Sequence, residues 1–315
     1  MLISDLGERA LIERITARAP AAPSWVALGI GDDAAVIEPA RGELDVITTD
    51  CQIEDVHFKR AWMSLKDIGR KALGVNVSDL AAMGAEPRAA TLSLGMPGTL
   101  TVAEFDDLID GFLSLASEIK LPLVGGNLSR SPGPIIIDVT LMGSVRRRRV
   151  LTRSGGRAGH LLYVTGTLGR AAADVARAQV AEMSANGDSV AMSPVPLRLS
   201  CGQQVARNRV ASACMDISDG LADAVAQMAR ASGTGARVHS SKIPLDTSAT
   251  LEQALHGGED YELLFAVPGR RRRAFELIAG REATVTCIGE LTPPGSVELD
   301  RAGHLEPLGS GFSHF

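Results

Sequence analysis

Short apolar runs that read as β-strands alternate with amphipathic helical stretches along the whole chain, and the pattern restarts near residue 150. Neither an all-helical bundle nor a simple β-sandwich fits such a pattern, so the chain reads as two α+β domains. The division is placed at residues 1–150 and 151–315, with Arg153-Ser154-Gly155-Gly156 as the linker or turn. A length of 315 residues fits two domains and supplies enough core to fold without a disulfide or metal staple.

In the first half, residues 5–18 form an amphipathic helix closed by Pro20 and Pro23. Strands follow at Val26–Ile30, Ala34–Ile37 and Leu44–Thr49, with a turn at Arg41-Gly42. A helix over Ser64–Met83 leads to a strand near Ala89–Leu94. Thr101 and Glu104 form a capping box for a helix to Ile119, followed by strands at Pro122–Val124 and Ile135–Val145. In the second half, Leu161–Thr165 is a strand, Ala171–Met183 a helix and Ser184–Pro196 a polar loop. A strand ends at Met215, a helix follows Gly220, and further strands lie near Ala236, Leu263 and Cys287–Gly289.

Charge and composition exclude several functions. The formal net charge is −5 and aromatic residues make up 3%, which leaves neither the basic surplus nor the stacking platforms of a nucleic-acid binder. The arginine runs at 146–149 and 270–273 read as phosphate patches or as solvated ends of elements. The four cysteines form no C-x-x-C pair, and no apolar run approaches membrane-spanning length; a cytoplasmic protein is expected. Walker, Rossmann, protein-kinase and nucleophile-elbow motifs are missing.

What the chain does carry is a recurring acid, often beside glycine or near an expected strand end. Gly31-Asp32-Asp33, Thr48-Thr49-Asp50, Ser78-Asp79, Asp216-Ile217-Ser218-Asp219-Gly220 and Gly257-Gly258-Glu259-Asp260 repeat the theme five times. Asp beside Gly is also ordinary turn chemistry. Turns alone do not require acids, however, and converging carboxylates resist burial unless a cation sits among them. Hard oxygen ligands suit Mg²⁺, which shares its shell with substrate phosphates. The reading is a Mg²⁺-dependent phosphoryl transfer from ATP to a small acceptor.

Gly29-Ile30-Gly31-Asp32-Asp33-Ala34-Ala35-Val36, Thr48-Thr49-Asp50 with His57-Phe58, Val75-Asn76-Val77-Ser78-Asp79-Leu80-Ala81-Ala82-Met83-Gly84, Asp216-Ile217-Ser218-Asp219-Gly220-Leu221 and Gly257-Gly258-Glu259-Asp260-Tyr261-Glu262-Leu263 stand in one order and spacing. This set closely resembles the thiamine-monophosphate kinase family, of the aminoimidazole-ribotide-synthetase-like superfamily, over nearly the whole chain. The resemblance implies a two-domain α+β fold: a mixed N-terminal domain whose sheet closes a barrel across a homodimer, and an α/β C-terminal domain that completes the site. It implies phosphorylation of thiamine monophosphate by ATP. Asp33, Thr48, Thr49, Asp50, Asp79, Asp216 and Asp219 fall on metal-ligand positions, Gly126, Arg153 and Ser218 on ATP positions, and His57, Glu259 and Phe312 on substrate positions. Gly125-Gly126-Asn127 departs from the family's Gly-Gly-Asp, so Asn127 offers an amide carbonyl where a charged ligand stands. Phe312 stands where tyrosine is common. On the residues alone, Arg153 reads equally as a solvated linker arginine, His57 as a structural histidine, and Phe312 as an anchor of the tail. No residue stands out as an activated nucleophile, and direct transfer is expected. Rival readings are another enzyme of the superfamily and a non-catalytic binder of nucleotide or thiamine phosphate.

Overall fold

The computed structural model describes residues 1–183 and 191–309. They divide into two compact units, one of residues 1–77 and 86–146, the other of residues 78–85 and 147 onward.

The first unit begins with α1 (Ile3–Leu6) and α2 (Glu8–Arg18). One helix is expected from residue 5; Gly7, at φ 78°, breaks it in two. A small hairpin of β1 (Val26–Leu28) and β2 (Val36–Ile37) precedes the main strands β3 (Leu44–Ile53), β4 (Glu86–Met96), β5 (Leu123–Arg130) and β6 (Ile136–Val145). These form a four-stranded sheet in the order β3-β6-β4-β5, with β4 and β5 parallel and the other pairs antiparallel. Helices α3 (Leu65–Ala82) and α4 (Val102–Glu118) pack into the core through Ile68, Leu73, Phe105, Leu108 and Phe112. They touch backbone to backbone: a Cβ on Gly69 would lie 2.0 Å from Leu108 O, and one on Gly111 1.8 Å from Lys66 O. Thr101 caps α4 in the expected box, its Oγ1 accepting from Glu104 N at 3.2 Å while Glu104 Oε2 accepts from Thr101 N at 2.8 Å.

Two expected strand ends prove to be strand interiors. β3 does not end at Thr49-Asp50; its ladder with β6 continues through Cys51↔Asp138 to Ile53↔Ile136. β5 does not end at Val124 but runs on through Gly125, Gly126 and Asn127, paired with Thr91, Leu92 and Ser93. Glycine weakens a strand and so reads as an end, but here it admits the neighbouring backbone: a Cβ on Gly126 would lie 1.9 Å from Leu92 O.

The second unit is a seven-stranded sheet in the order β13-β12-β9-β11-β7-β10-β8. Its strands are β7 (Leu161–Thr165), β8 (Ala213–Ile217), β9 (Gly235–His239), β10 (Glu262–Val267), β11 (Val285–Thr292), β12 (Val297–Arg301) and β13 (His304–Pro307). Helices α5 (Arg170–Met183), α6 (Leu199–Asn208), α7 (Leu221–Ser232), α8 (Leu251–His256) and α9 (Arg272–Ala279) complete it. Successive residues of β7, β8 and β10 enter different cores. Leu162, Val164, Met215, Ile217 and Leu264 pack with α7, whereas Tyr163, Cys214, Leu263 and Phe265 pack with α6 and α9. With apolar cover on both faces, β10 is buried throughout. The arginines at 270–273 lie exposed at the start of α9, where Arg272 pairs with Glu276 at 2.9 Å. Among the described residues no helix is long and apolar enough to cross a membrane.

Candidate functional site

In the first unit the turn at residues 30–35, the inner face of α2 and the middle of β4 and β5 enclose a cavity of about 960 Å³. Its lining brings together Asp32, Asp33, Gly126 and Asn127, far apart in sequence. Asp32 Oδ1 accepts the Asp33 N–H at 2.8 Å and fixes the turn. Asn127 donates its amide nitrogen to Ser129 Oγ at 2.9 Å, so its side-chain oxygen is the atom that could hold a cation.

Strand alternation separates the next three residues. On β3, Thr48 and Asp50 are half-buried on one face, while Thr49 is exposed on the other. Thr49 Oγ1 donates to Asp138 Oδ1 at 3.4 Å and accepts from Thr140 Oγ1 at 3.3 Å. Sequence reasoning missed Asp138. Its signal is a lone acid inside the apolar run Ile135-Ile136-Ile137-Asp138-Val139.

His57 sits in a tight loop in which its N–H donates to Ile53 O at 2.9 Å and the Ile53 N–H donates to its ring Nδ1 at 3.1 Å. An Nδ1 that accepts requires the neutral ring to carry its hydrogen on Nε2, so the ring presents a donor. Lys71 Nζ holds the His57 carbonyl at 2.6 Å.

The second unit gathers the other acids. Asp216, near the end of β8, is 5% exposed. Ser78 Oγ donates to its Oδ2 at 3.0 Å. Burial, and then the negative charge of Asp79, push its carboxyl up to about 6, against the pull of Ser78 and Arg153. Two carboxylates that oppose each other in a buried place fit a hard divalent cation, whose charge removes the conflict. Ser218 Oγ donates to Asp219 Oδ2 at 3.0 Å, and Gly220, at φ 94°, opens α7. A Cβ on Gly220 would lie 2.6 Å from Leu255 O, which only glycine avoids. Arg153 is exposed, and its Nη1 donates to Gln227 Oε1 of α7 at 2.5 Å. Glu259 has a left-handed backbone at φ 70°, and its N–H donates to Ser218 O at 2.6 Å. A main-chain hydrogen bond thus joins the substrate candidate Glu259 to the nucleotide candidate Ser218. Phe312 lies outside the described residues. Among the described residues no three His, Cys, Asp or Glu side chains are grouped so as to hold a metal ion.

Two family descriptions match the chain: AIR synthase related protein, N-terminal domain, over residues 31–145, and the corresponding C-terminal domain over residues 157–301. The thiamine-monophosphate kinase of Synechococcus elongatus is 34% identical, over 99% of this chain and 98% of that protein. Among solved structures, the thiamine-monophosphate kinase of Stenotrophomonas maltophilia K279a is 33% identical with a TM-score of 0.80, covering 94% of this chain and 97% of its own. AaThiL complexed with AMPPCP and TMP is 30% identical with a TM-score of 0.73, over 100% of this chain and 99% of its own. Matches of this extent, in both halves of the chain, place it in the thiamine-monophosphate kinase family of AIR synthase related proteins.

Proposed function

We propose that the protein transfers the γ-phosphoryl group of ATP to the phosphate of thiamine monophosphate, giving thiamine diphosphate and ADP. The observation that carries this reading is the full-length likeness to AaThiL, a protein solved with AMPPCP and TMP. The acceptor is a phosphate monoester whose second pKa is about 6, so it is largely dianionic at neutral pH and needs no strong base. A phosphate oxygen attacks the γ-phosphorus in line as the ADP oxygen leaves, and no phosphoenzyme forms.

The obstacle is repulsion between two anions; bound Mg²⁺ supplies the neutralising charge and polarises the transferring group. In this reading Asp33, Thr48, Thr49, Asp50, Asp79, Asp216, Asp219 and the Asn127 carbonyl hold the metal. Arg153, Ser218 and the first amides of α7 meet the ATP phosphates, as helix N-termini favour anions, and the Gly126 backbone lies beside the nucleotide. His57 donates from Nε2 to the substrate. Glu259 takes the cationic or amino side of the thiamine, and Phe312 stacks on its rings. The first domain then carries the dimer contact and part of the nucleotide and metal site, and the second completes it.

We further propose a homodimer in the cytoplasm. The support is β3, an edge strand of its sheet with Ile47 66% exposed. Light scattering on the purified protein checks this, and a monomer at micromolar concentration contradicts it.

Incubation with Mg²⁺, ATP and thiamine monophosphate is expected to yield thiamine diphosphate and ADP. Binding of both ligands without product would replace the kinase with a binding module. Asn127→Asp is expected to lower the Mg²⁺ concentration for half-maximal activity about tenfold, since ligand charge sets affinity for hard cations. An unchanged Mg²⁺ titration would show that position 127 holds no metal.

A further inference from the structure

We propose that Asp260 is a positioning residue for this reaction: its buried carboxylate clamps the turn that presents Glu259. The inference rests on the reading of Glu259 as the substrate contact. Asp260 is 5% exposed and lies between two non-glycine residues with left-handed backbone, Glu259 at φ 70° and Tyr261 at φ 50°. Conformations of this kind persist only where the surroundings over-determine them. Here the turn is stitched from two sides.

On one side, Glu259 N donates to Ser218 O at 2.6 Å and Tyr261 N to Ile217 O at 2.8 Å. The approach is so close that a Cβ on Gly258 would lie 2.8 Å from Ser218 O. On the other side, Asp260 Oδ2 accepts the N–H of Gly169 at 2.7 Å, and the N–H groups of Ala171 and Arg170 add their pull on its carboxyl. These amides open α5, where the helix itself offers them no partners. Burial pushes the Asp260 carboxyl up to about 7 against the pull of those amides, with a further push from Glu262. A carboxylate is therefore kept where its charge is costly, and what it does there is tie the turn to α5. With the clamp gone, Glu259 relaxes out of the left-handed region and its side chain swings away from the direction φ 70° imposes.

The test uses the full chain with Asp260→Asn, which keeps the size and one acceptor oxygen, and Asp260→Ala, which removes both. Hydrogen exchange is expected to quicken at residues 257–261 and 169–171 in both variants, more in alanine. Protection of β10 at residues 263–267 reports that the fold is intact, and the asparagine variant carries the test where alanine loses it. The KM for thiamine monophosphate is expected to rise about tenfold, while the KM for ATP stays within about twofold. Unchanged exchange at the turn in both variants overturns the proposal. So does faster exchange with an unchanged KM for thiamine monophosphate, when Glu259→Gln raises that KM. If Glu259→Gln has no effect, the reading of Glu259 as substrate contact fails, while quickened exchange at the turn still upholds the clamp.

Discussion

Asp216→Asn is expected to lower turnover about a hundredfold or more while making the metal-free protein harder to unfold. The two effects share one cause. Asp216 is buried beside Asp79, and its carboxyl is pushed up to about 6. The folded chain therefore binds that proton more tightly than the unfolded chain, whose aspartate titrates at about 3.9. At neutral pH the ionised group opposes folding, and the opposition fades as pH falls through about 6 toward 4. Asparagine keeps an oxygen for Ser78 and removes the charge, which contributes on the order of 2 kcal/mol at neutral pH. Melting without metal or nucleotide at pH 7.5 and pH 5 checks this: the variant's advantage should shrink at the lower pH. A variant that melts earlier at pH 7.5, or keeps full activity, contradicts the assignment of Asp216 as a cation ligand held under strain.

Gly111→Ala is expected to be the most damaging small change in the first unit. Its Cβ would sit 1.8 Å from Lys66 O, a backbone atom of a facing helix that no rotamer can move. The helices must separate, at a cost of about 3 kcal/mol or more. Urea unfolding should show a lower midpoint with an unchanged slope. Gly133→Ala serves as the control, because nothing lies within 4 Å of its added carbon. Equal midpoints for the two variants would show that the helices pack less closely than described.

The α+β character and the capping box at Thr101 were legible because each rests on local chemistry: periodicity, and a hydroxyl three residues before a glutamate. The meeting of Asp33 with Asn127 in one cavity was reachable only through the family resemblance, since nothing in either segment names the other. Thr48, Thr49 and Asp50 were misread as a strand end because polar residues resemble a terminus. Only the ladder with β6 shows the strand continuing and splitting them between faces. The burial of Asp216 and Asp260 was invisible for the same reason: acid beside glycine reads as an exposed turn until the neighbouring amides and hydroxyls are located. Asp138 was passed over because one acid in an apolar strand carries no motif.

The order of strands in the second sheet has a consequence during synthesis. The two strands flanking β10 both precede it, and its partner on β7 lies a hundred residues back, Leu264 facing Val164. Until residues 262–267 leave the ribosome, β7 and β8 share no neighbour, and their apolar residues wait without the strand that joins them. Closure of that sheet is therefore a late event in translation, set by loop closure over long distances rather than by local preference. A nascent chain halted shortly before that point exposes two sticky strands, and chaperones would meet it there.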